Sequence, residues 1–383
     1  MKHSALPRAG LCLLAAVCFA APYASALLEL DRGVLILNTD YGVSYDSNIL
    51  GQIDNESDTL ITFSPMLEYR REGGRGMMSF NIGGSLVHYL KNDERDHEDY
   101  RVSGVITVPV TPDSPFSGSV NASYGRATTV NETVADLVTT TALTLGANGG
   151  YAFSERLSGN AGVTWGNVEN ENFGDNETLG LSLGVSLQEF LLRRLPLTLT
   201  YSYMTSESTN DPTAMSALDT TSHAFNVGTS GQLTPKISGN VSIGMRSTED
   251  GGSTPGASDD TGLTASSSLT WAYDELTTVS LMLSKSLSVT ADNQSTDATS
   301  VRLNLNRKLS EQLSASAGVS HTWNSYRAVA RDDKLLSFNA GLSYMIRRNW
   351  TAGLNYTYTD NSSDNAMSNF SRHVIGATVS ARF

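Results

Sequence analysis

Cysteine is almost absent from this chain of 383 residues, which contains only Cys12 and Cys18. Both lie in residues 1–26, which have a basic start, an apolar centre and a small-residue end, the pattern of a cleaved signal peptide. We therefore predict a signal peptide at 1–26 and one exported domain at 27–383. That domain contains no cysteine, which excludes disulfide frameworks, cysteine zinc sites and thiol nucleophiles.

Basic residues and long apolar runs are also scarce. The chain has 26 Lys and Arg against 39 Asp and Glu. Because a nucleic-acid-binding face depends on clustered basic charge, nucleic acid is excluded as a partner. After residue 26 no run of about 18 apolar residues occurs, so the sequence predicts no transmembrane helix.

The dominant pattern that is present is alternation with a period of two, rather than the 3.6-residue period of helices. Residues 157–165, 301–306 and 337–344 each alternate apolar residues with small or polar ones. Such alternation predicts strands that are apolar on one face and polar on the other.

The connections between these strands are of two kinds that alternate along the chain. Eight short turns recur roughly every 40 residues, and they lie near 71–75, 111–114, 153–156, 192–195, 233–236, 273–275, 308–311 and 346–349. Nine longer loops lie near 50–57, 91–98, 127–132, 167–177, 205–219, 248–260, 290–299, 327–333 and 360–368. These connections join about 18 strands, with 16 as the alternative.

The predicted fold is therefore all-β, a transmembrane antiparallel up-and-down β-barrel. A sheet with an apolar outer face can sit in lipid only if closure pairs every backbone group. A propeller would place four short strands in each repeat, whereas each repeat here holds two long ones. An even strand number puts both termini on one side, so we expect short periplasmic turns and longer extracellular loops in a bacterial outer membrane.

Aromatic residues gather at both ends of the predicted strands, as in the two girdles of a membrane barrel. Those that flank the short turns are Tyr69, Tyr151, Phe153, Tyr273, Tyr344 and Trp350. Those near the longer loops are Tyr45, Tyr89, Tyr124, Trp165, Trp323 and Tyr358.

The end of the chain alternates in the same way. Its apolar positions are Ile375, Ala377, Val379, Ala381 and the terminal Phe383. This resembles the C-terminal signal of bacterial outer-membrane proteins, an amphipathic last strand that ends in an aromatic residue. The resemblance implies recognition by the barrel-assembly machinery.

The first predicted hairpin carries a further pattern. Residues 41–49 read YGVSYDSNI, and residues 63–70 read FSPMLEYR. This resembles the porin-like β-barrel families of bacterial outer membranes, some of whose members are associated with exopolysaccharide gene clusters. The specific match covers residues 37–90 and implies a barrel that passes solutes or polysaccharide. We expect Asp46 and Asn48 to shape the exit from the first strand into the first loop.

Residues that could carry chemistry are few. The histidines after residue 26 are His88, His97, His223, His321 and His373, and no two of them have metal-ligand spacing. His97, beside Asp96 and Asp99, is the nearest candidate for a catalytic group, but a solvated rim histidine is the preferred interpretation. The sequence thus predicts no enzyme, no cofactor and no metal site. Loose cation bridging from acidic loops to lipopolysaccharide is a further expectation.

The predicted lumen is the most informative region. Inward positions are mostly Ser, Thr, Asn and Gly, with four charges at Glu68, Arg101, Arg246 and Arg302. This lining predicts an outer-membrane porin-like channel for passive diffusion of small hydrophilic solutes, with fixed charge setting ion selectivity. No loop is much longer than about 15 residues, which favours a wide pore, with a blocked pore as the alternative.

Two other functions remain open at this point. One is an exopolysaccharide export or secretion barrel, and the other is a structural or adhesive surface protein. The expected partners are outer-membrane lipid, lipopolysaccharide and the barrel-assembly machinery, with polysaccharide as a further candidate. The sequence predicts neither the substrate nor the oligomeric state.

Overall fold

The structure, a computed structural model, describes residues 28–30, 33–73, 76–108, 114–131, 136–171, 174–191, 195–209, 219–251, 260–289, 295–326 and 330–383. The predicted signal peptide and the centres of several predicted connections lie outside these residues. Within them, no helix has the length and apolar character needed to cross a membrane.

Antiparallel strands make up nearly all of the described chain. They are β1 (Leu28–Leu30), β2 (Gly33–Asp46), β3 (Asp58–Gly73), β4 (Gly76–Tyr89), β5 (His97–Val108), β6 (Phe116–Asn131), β7 (Asp136–Ala152), β8 (Leu157–Asn170), β9 (Gly174–Leu191), β10 (Leu195–Thr209), β11 (Asp219–Thr234), β12 (Ile237–Gly251), β13 (Asp260–Ala272), β14 (Thr277–Val289), β15 (Ser295–Lys308), β16 (Leu313–Tyr326), β17 (Asp332–Arg347), β18 (Trp350–Ser363) and β19 (Phe370–Arg382). Two single 3-10 turns, Asp93–Arg95 and Ala366–Ser368, lie between strands.

The strands β2–β19 form a closed barrel. Each strand pairs with the next one along the chain, and β19 returns to pair with β2 from Val374↔Asp46 to Arg382↔Asn38. The short β1 pairs only with the start of β2. In the described part of the chain the barrel therefore has 18 strands, which confirms the predicted fold and the larger of the two strand counts.

The two ends of the barrel differ in their connections. At one end the connections are only a few residues long, as between β17 and β18, and this end is called the short-turn end. The opposite end, which has the longer connections, is called the long-loop end. The described register shifts all fall at the short-turn end, at Leu195, between Gln232 and Thr234, and at Met345–Arg347. Bulges of this kind increase the local twist where a strand turns back.

Strands extend further into two predicted loops than expected. The loop predicted at 167–177 is shortened because β8 continues to Asn170 and β9 begins at Gly174. The loop predicted at 127–132 is displaced, because β6 runs to Asn131 and β7 begins at Asp136. Polar residues at strand tips look like loop residues in a sequence, but a strand that projects beyond the lipid has polar side chains on both faces.

Aromatic pairs lie on the outer face near both ends. At the short-turn end Tyr151 contacts Phe153 with ring centroids 5.2 Å apart, and at the long-loop end His321 contacts Trp323 at 4.1 Å. Tyr89 differs from its predicted place in the outer girdle. Its side chain is on the inner face, opposite to that of its neighbour His88, and is buried against Ile49. Tyr89 therefore belongs to the barrel mouth.

Candidate functional site

The barrel wall separates an apolar face from a polar one. On the outer face Leu303, Val319 and Phe338 form one row across three strands, and all three are about two-fifths exposed to the surroundings. The adjacent row on the inner face contains Asn304, Gly318 and Asn339. Because side chains alternate in and out of a barrel wall, the interior is lined by polar groups.

Glycine has a specific use in that inner row. A methyl group added at Gly318 would stand 2.6 Å from Asn304 Oδ1 and 2.5 Å from Asn339 Oδ1. The absence of a side chain at Gly318 therefore gives the two flanking amides room to lie over the strand between them.

Two of the four predicted lumen charges have ionic partners. Glu68 accepts from Arg70 Nη2 at 2.6 Å. Arg246 is buried. Its Nε donates to Thr248 Oγ1 at 2.9 Å, and its Nη2 donates to Asp297 Oδ1 at 2.7 Å. The charge of each is therefore largely balanced by its neighbour.

The other two predicted lumen charges, Arg101 and Arg302, are exposed, and no ion pair joins either to another described residue. Arg101 stands between Gly83 and Gly125 on the adjacent strands, so the wall beside it carries no side chain. Arg302 lies on β15, between Met282 of β14 and Ser320 of β16, on a different part of the wall from Arg101. The four charges are thus spread around the wall and do not form one cluster.

The first loop, defined here as residues 47–57, is folded around Asn48. The Asn48 side chain is fully buried and its Nδ2 donates to Gln52 O at 2.7 Å, Asn55 Oδ1 at 2.7 Å and Ser371 O at 3.2 Å. Its Oδ1 accepts from Gln52 N at 3.1 Å. One amide therefore holds the loop in shape and ties it to β19.

Asp58 connects the end of the first loop to the second loop, residues 90–96. Its carboxylate accepts from the backbone N–H groups of Thr59, Lys91 and Asn92 and from Asn92 Nδ2, at 2.6 to 3.2 Å. Burial alone raises the pKa of Asp58, but these hydrogen bonds outweigh it and hold the pKa below its usual value. About ten residues of tilted strand cross a bilayer, so Asp58, at the tip of β3, lies outside the lipid.

Further contacts join the loops to one another. Arg95 of the second loop approaches Glu56 at 3.7 Å and Asp136 of β7 at 3.9 Å. On the other side of the first loop, Arg331 pairs with Asp333 at 2.6 Å and donates to Ser368 Oγ at 3.1 Å. Ion pairs and hydrogen bonds therefore link the loops around β16–β19 and β2–β7 into one rim.

The seam between the first and last barrel strands has its own polar links. Arg372 donates to both carboxylate oxygens of Asp46 at 2.5 to 3.1 Å, and Asp46 Oδ1 also accepts from Asn48 N at 2.9 Å. Ser380 donates to Asp40 at 2.5 Å. The expected role of Asp46 and Asn48 at the strand exit agrees with this geometry, and Asp46 additionally closes the barrel.

The predicted C-terminal signal residues share one face of β19. Two hydrogen bonds of 2.8 Å join the Phe383 backbone to Leu37. The Phe383 ring meets Trp350 edge-on with centroids 6.0 Å apart, and Ala381 packs in the same cluster. Ile375 is largely exposed on the outer face.

His97 was expected to be a solvated rim histidine, but its side chain is only 11% exposed. Its Nδ1 lies 3.0 Å from the carbonyl oxygen of Arg95 and its Nε2 lies 3.9 Å from Asp99. Asp96, its neighbour in sequence, contacts His88 Nδ1 at 2.5 Å instead. Within the described residues, no three His, Cys, Asp or Glu side chains are close enough to hold a metal ion.

Sequence reasoning missed Asp58, Arg95 and Arg372 as organising residues of the mouth. The sequence contains only a weak indication of the role of Asp58, which is the last acidic residue before an alternating strand. The sequence contains no indication of the role of Arg372, since its partner Asp46 is 326 residues away.

These features define a porin-like outer-membrane barrel, closed, apolar outside and polar inside. The chain belongs to the family described as Putative beta-barrel porin 2, which matches residues 37–383. The resemblance inferred from the first hairpin is thereby confirmed. No curated protein is significantly similar to the chain in sequence.

Solved outer-membrane barrels share the fold at low sequence identity. Pseudomonas aeruginosa OccK2 (OpdF) is 13% identical with a TM-score of 0.52, over 92% of this chain and 98% of that one. Pseudomonas aeruginosa OccK1 (OpdK) is 13% identical with a TM-score of 0.51, over the same shares. Acinetobacter baumannii OccAB4 is 10% identical with a TM-score of 0.50, over 91% and 98%. Family and fold together identify a porin-like channel for small solutes.

Proposed function

We propose that this chain forms a water-filled channel through the bacterial outer membrane, for passive diffusion of small hydrophilic solutes. The observation that carries the proposal is the polar inner face of a closed barrel of 18 strands. Barrels of 16 to 18 strands enclose enough space for an aqueous channel. Diffusion along such a lining needs no catalytic step, so the protein acts as a channel and not as an enzyme.

The proposed orientation places the long-loop end outside the cell and both termini in the periplasm. Longer loops outside and short turns inside are the rule for barrels of this class. In this orientation the rim formed by the first, second and last loops faces the medium and contacts lipopolysaccharide.

The fixed charge of the lumen supports anion passage along the wall. Of the four charges predicted to line the lumen, Glu68 and Arg246 are balanced by Arg70 and Asp297, which leaves Arg101 and Arg302 exposed. A cationic wall in a confined pore raises the local concentration of anions.

The terminal strand supports a proposed assembly role. Ile375, Ala377, Val379, Ala381 and Phe383 form one apolar face of the last strand, beside the seam at which it pairs with β2. We assign recognition by the barrel-assembly machinery to this face.

Solute uptake by proteoliposomes tests the channel function. Vesicles containing the refolded chain are diluted into uncharged sugars of increasing size, and the swelling rate is followed by light scattering. The expected result is rapid uptake of monosaccharides that falls steeply with size. A correctly folded barrel that admits no sugar would contradict the proposal and favour polysaccharide export or a surface role.

A further inference from the structure

The pairing between β13 and β14 ends before either strand ends. Their last register pair toward the long-loop end is Ala265↔Lys285. Beyond it, residues 260–264 of β13 remain paired with β12, and residues 286–289 of β14 remain paired with β15. No register pair joins these two described segments to each other. The barrel wall therefore has a gap in its pairing at this place, here called the β13–β14 split.

Apolar side chains flank the split on the outer face. Leu263 lies two residues beyond Ala265 on β13, and Leu287 lies two residues beyond Lys285 on β14. The register and the period of two place both on the same face as Leu281, which is paired with Leu303 of the outer row. Leu263 is 48% exposed. Because apolar outer side chains mark the part of the wall that contacts lipid, the split begins at membrane level.

Lys285 lies on this outer face, at the base of the split. A lysine on the lipid face of a barrel is unfavourable unless its ammonium group reaches polar surroundings. Unpaired backbone groups are equally unfavourable in lipid. The two features occur together here, which indicates that polar groups other than the paired wall are accommodated at this point.

An ion pair crosses the split. The register places Arg246 of β12 opposite Gly262 of β13, and Arg246 Nη2 donates to Asp297 Oδ1 of β15 at 2.7 Å. The strands β12 and β15 are three spacings apart, roughly 14 Å along the wall at about 4.8 Å per strand. One pair of side chains thus joins the two strands that border β13 and β14, at the level where the pairing between β13 and β14 is missing.

Arg246 also has a donor to spare. Its side chain is 4% exposed, its Nε and Nη2 are used by Thr248 and Asp297, and its Nη1 is buried without a hydrogen-bond partner. A buried charged donor without an acceptor is unfavourable, so such a group calls for a ligand or another explanation. An anionic oxygen is the acceptor that a guanidinium group binds most strongly.

We propose that the β13–β14 split is a lateral passage between the lumen and the membrane for single-chain amphiphiles with an anionic head group. The head group binds Arg246 Nη1, with Lys285 at the base of the split as a second cation. The hydrocarbon chain lies between Leu263 and Leu287, whose apolar side chains match it. This passage goes beyond the proposed diffusion of hydrophilic solutes along the lumen and does not require that the channel conduct ions.

Quenching of a lumen-facing fluorophore by a spin-labelled fatty acid tests the passage. The chain is made without residues 1–26, which contain its two cysteines, and carries Ser286→Cys on the inner side of the split. The control carries Ser343→Cys, an exposed serine of the inner face whose neighbours Ser314 and Gly353 are paired with it on both sides. Labelled barrels in phosphatidylcholine vesicles are titrated with doxyl-stearate, or with a doxyl-labelled alkylammonium of the same chain length.

The expected result is specific to the split. The Ser286→Cys fluorophore should lose intensity as doxyl-stearate is added, and it should lose less with the alkylammonium at the same concentration in the membrane. The Ser343→Cys fluorophore should lose little with either. Equal quenching of the two fluorophores, or none at Ser286→Cys, would overturn the inference. Failure of the proposed channel function has a different readout, the absence of sugar uptake by proteoliposomes.

The assigned head-group site is tested with Arg246→Gln in the Ser286→Cys chain. This variant lacks the guanidinium group and should lose the preference for doxyl-stearate over the alkylammonium. Arg156→Gln, at the short-turn end, serves as the charge control and should keep that preference. A folded Arg246→Gln barrel with the full preference would show that Arg246 does not bind the head group. If Arg246→Gln does not fold, the comparison of Ser286→Cys with Ser343→Cys still decides whether the split is a passage.

Discussion

The two ends of the barrel are built by different kinds of contact. At the short-turn end, the turns themselves are closed by local hydrogen bonds: Ser154, Thr234 and Ser310 each accept from a backbone N–H three residues later. At the long-loop end, buried polar groups link residues far apart in the chain, as Asn48 does with Ser371. The short turns can therefore form as each hairpin forms, whereas the mouth is completed only when the barrel closes.

The largest expected effect on stability comes from breaking the Arg372–Asp46 ion pair at the seam between β2 and β19. Arg372→Ala leaves the Asp46 carboxylate, whose side chain is 4% exposed, without its ionic partner. We expect a loss of about 3 kcal/mol or more in the free energy of unfolding, because an uncompensated buried charge is costly. Urea unfolding in lipid vesicles, followed by tryptophan fluorescence, measures it. A loss below about 1 kcal/mol would show that the seam pair behaves as a surface ion pair.

A smaller effect is expected from the pH dependence of the mouth. The pKa of Asp58 is held below its usual value in the folded state, so its stabilising contribution is fully present above about pH 4. That contribution is lost as the pH falls through the lowered pKa, because the protonated acid accepts these hydrogen bonds poorly.

The Asp58→Asn variant isolates this contribution. Its unfolding midpoint in urea should depend less on pH below about 4 than that of the unmodified chain. The two chains are compared at neutral pH and at several acidic values. If the urea midpoints of the two chains changed with pH in parallel, Asp58 would not gain its hydrogen bonds on folding.

The smallest effect is expected at the short-turn end. Arg156 and Glu189 lie 3.8 Å apart with side chains 79% and 63% exposed. Removal of Arg156 should change the unfolding free energy by less than about 0.5 kcal/mol, since solvent screens such pairs. The same urea titration checks this, and a loss as large as that of Arg372→Ala would remove the distinction between the two ends.

The same contrast explains how much of the molecule could be predicted from its sequence. Strand alternation and turn positions are local features, so the 18-strand barrel and its two kinds of connection were predictable. The inner face was also predictable, because it follows from the period of two. The partner of Asp46 was not, since nothing near Asp46 indicates Arg372.

The mouth was predicted least well. Loop length suggested a wide pore, because no loop looked long enough to form a constriction. The structure shows that the short first loop nevertheless folds against the inner wall, because its apolar residues Ile49 and Leu50 have buried sites there. Tyr89 was wrongly expected in the outer girdle, because an aromatic residue at a strand tip can point to either face and the sequence does not indicate which.

Single-channel recording of the unmodified chain in a planar bilayer tests the central claim most directly. We expect a stable unitary current through a barrel that is shown to be folded by its resistance to denaturation in SDS without heating. A folded barrel that carries no current at any voltage would show that the protein is not an open channel.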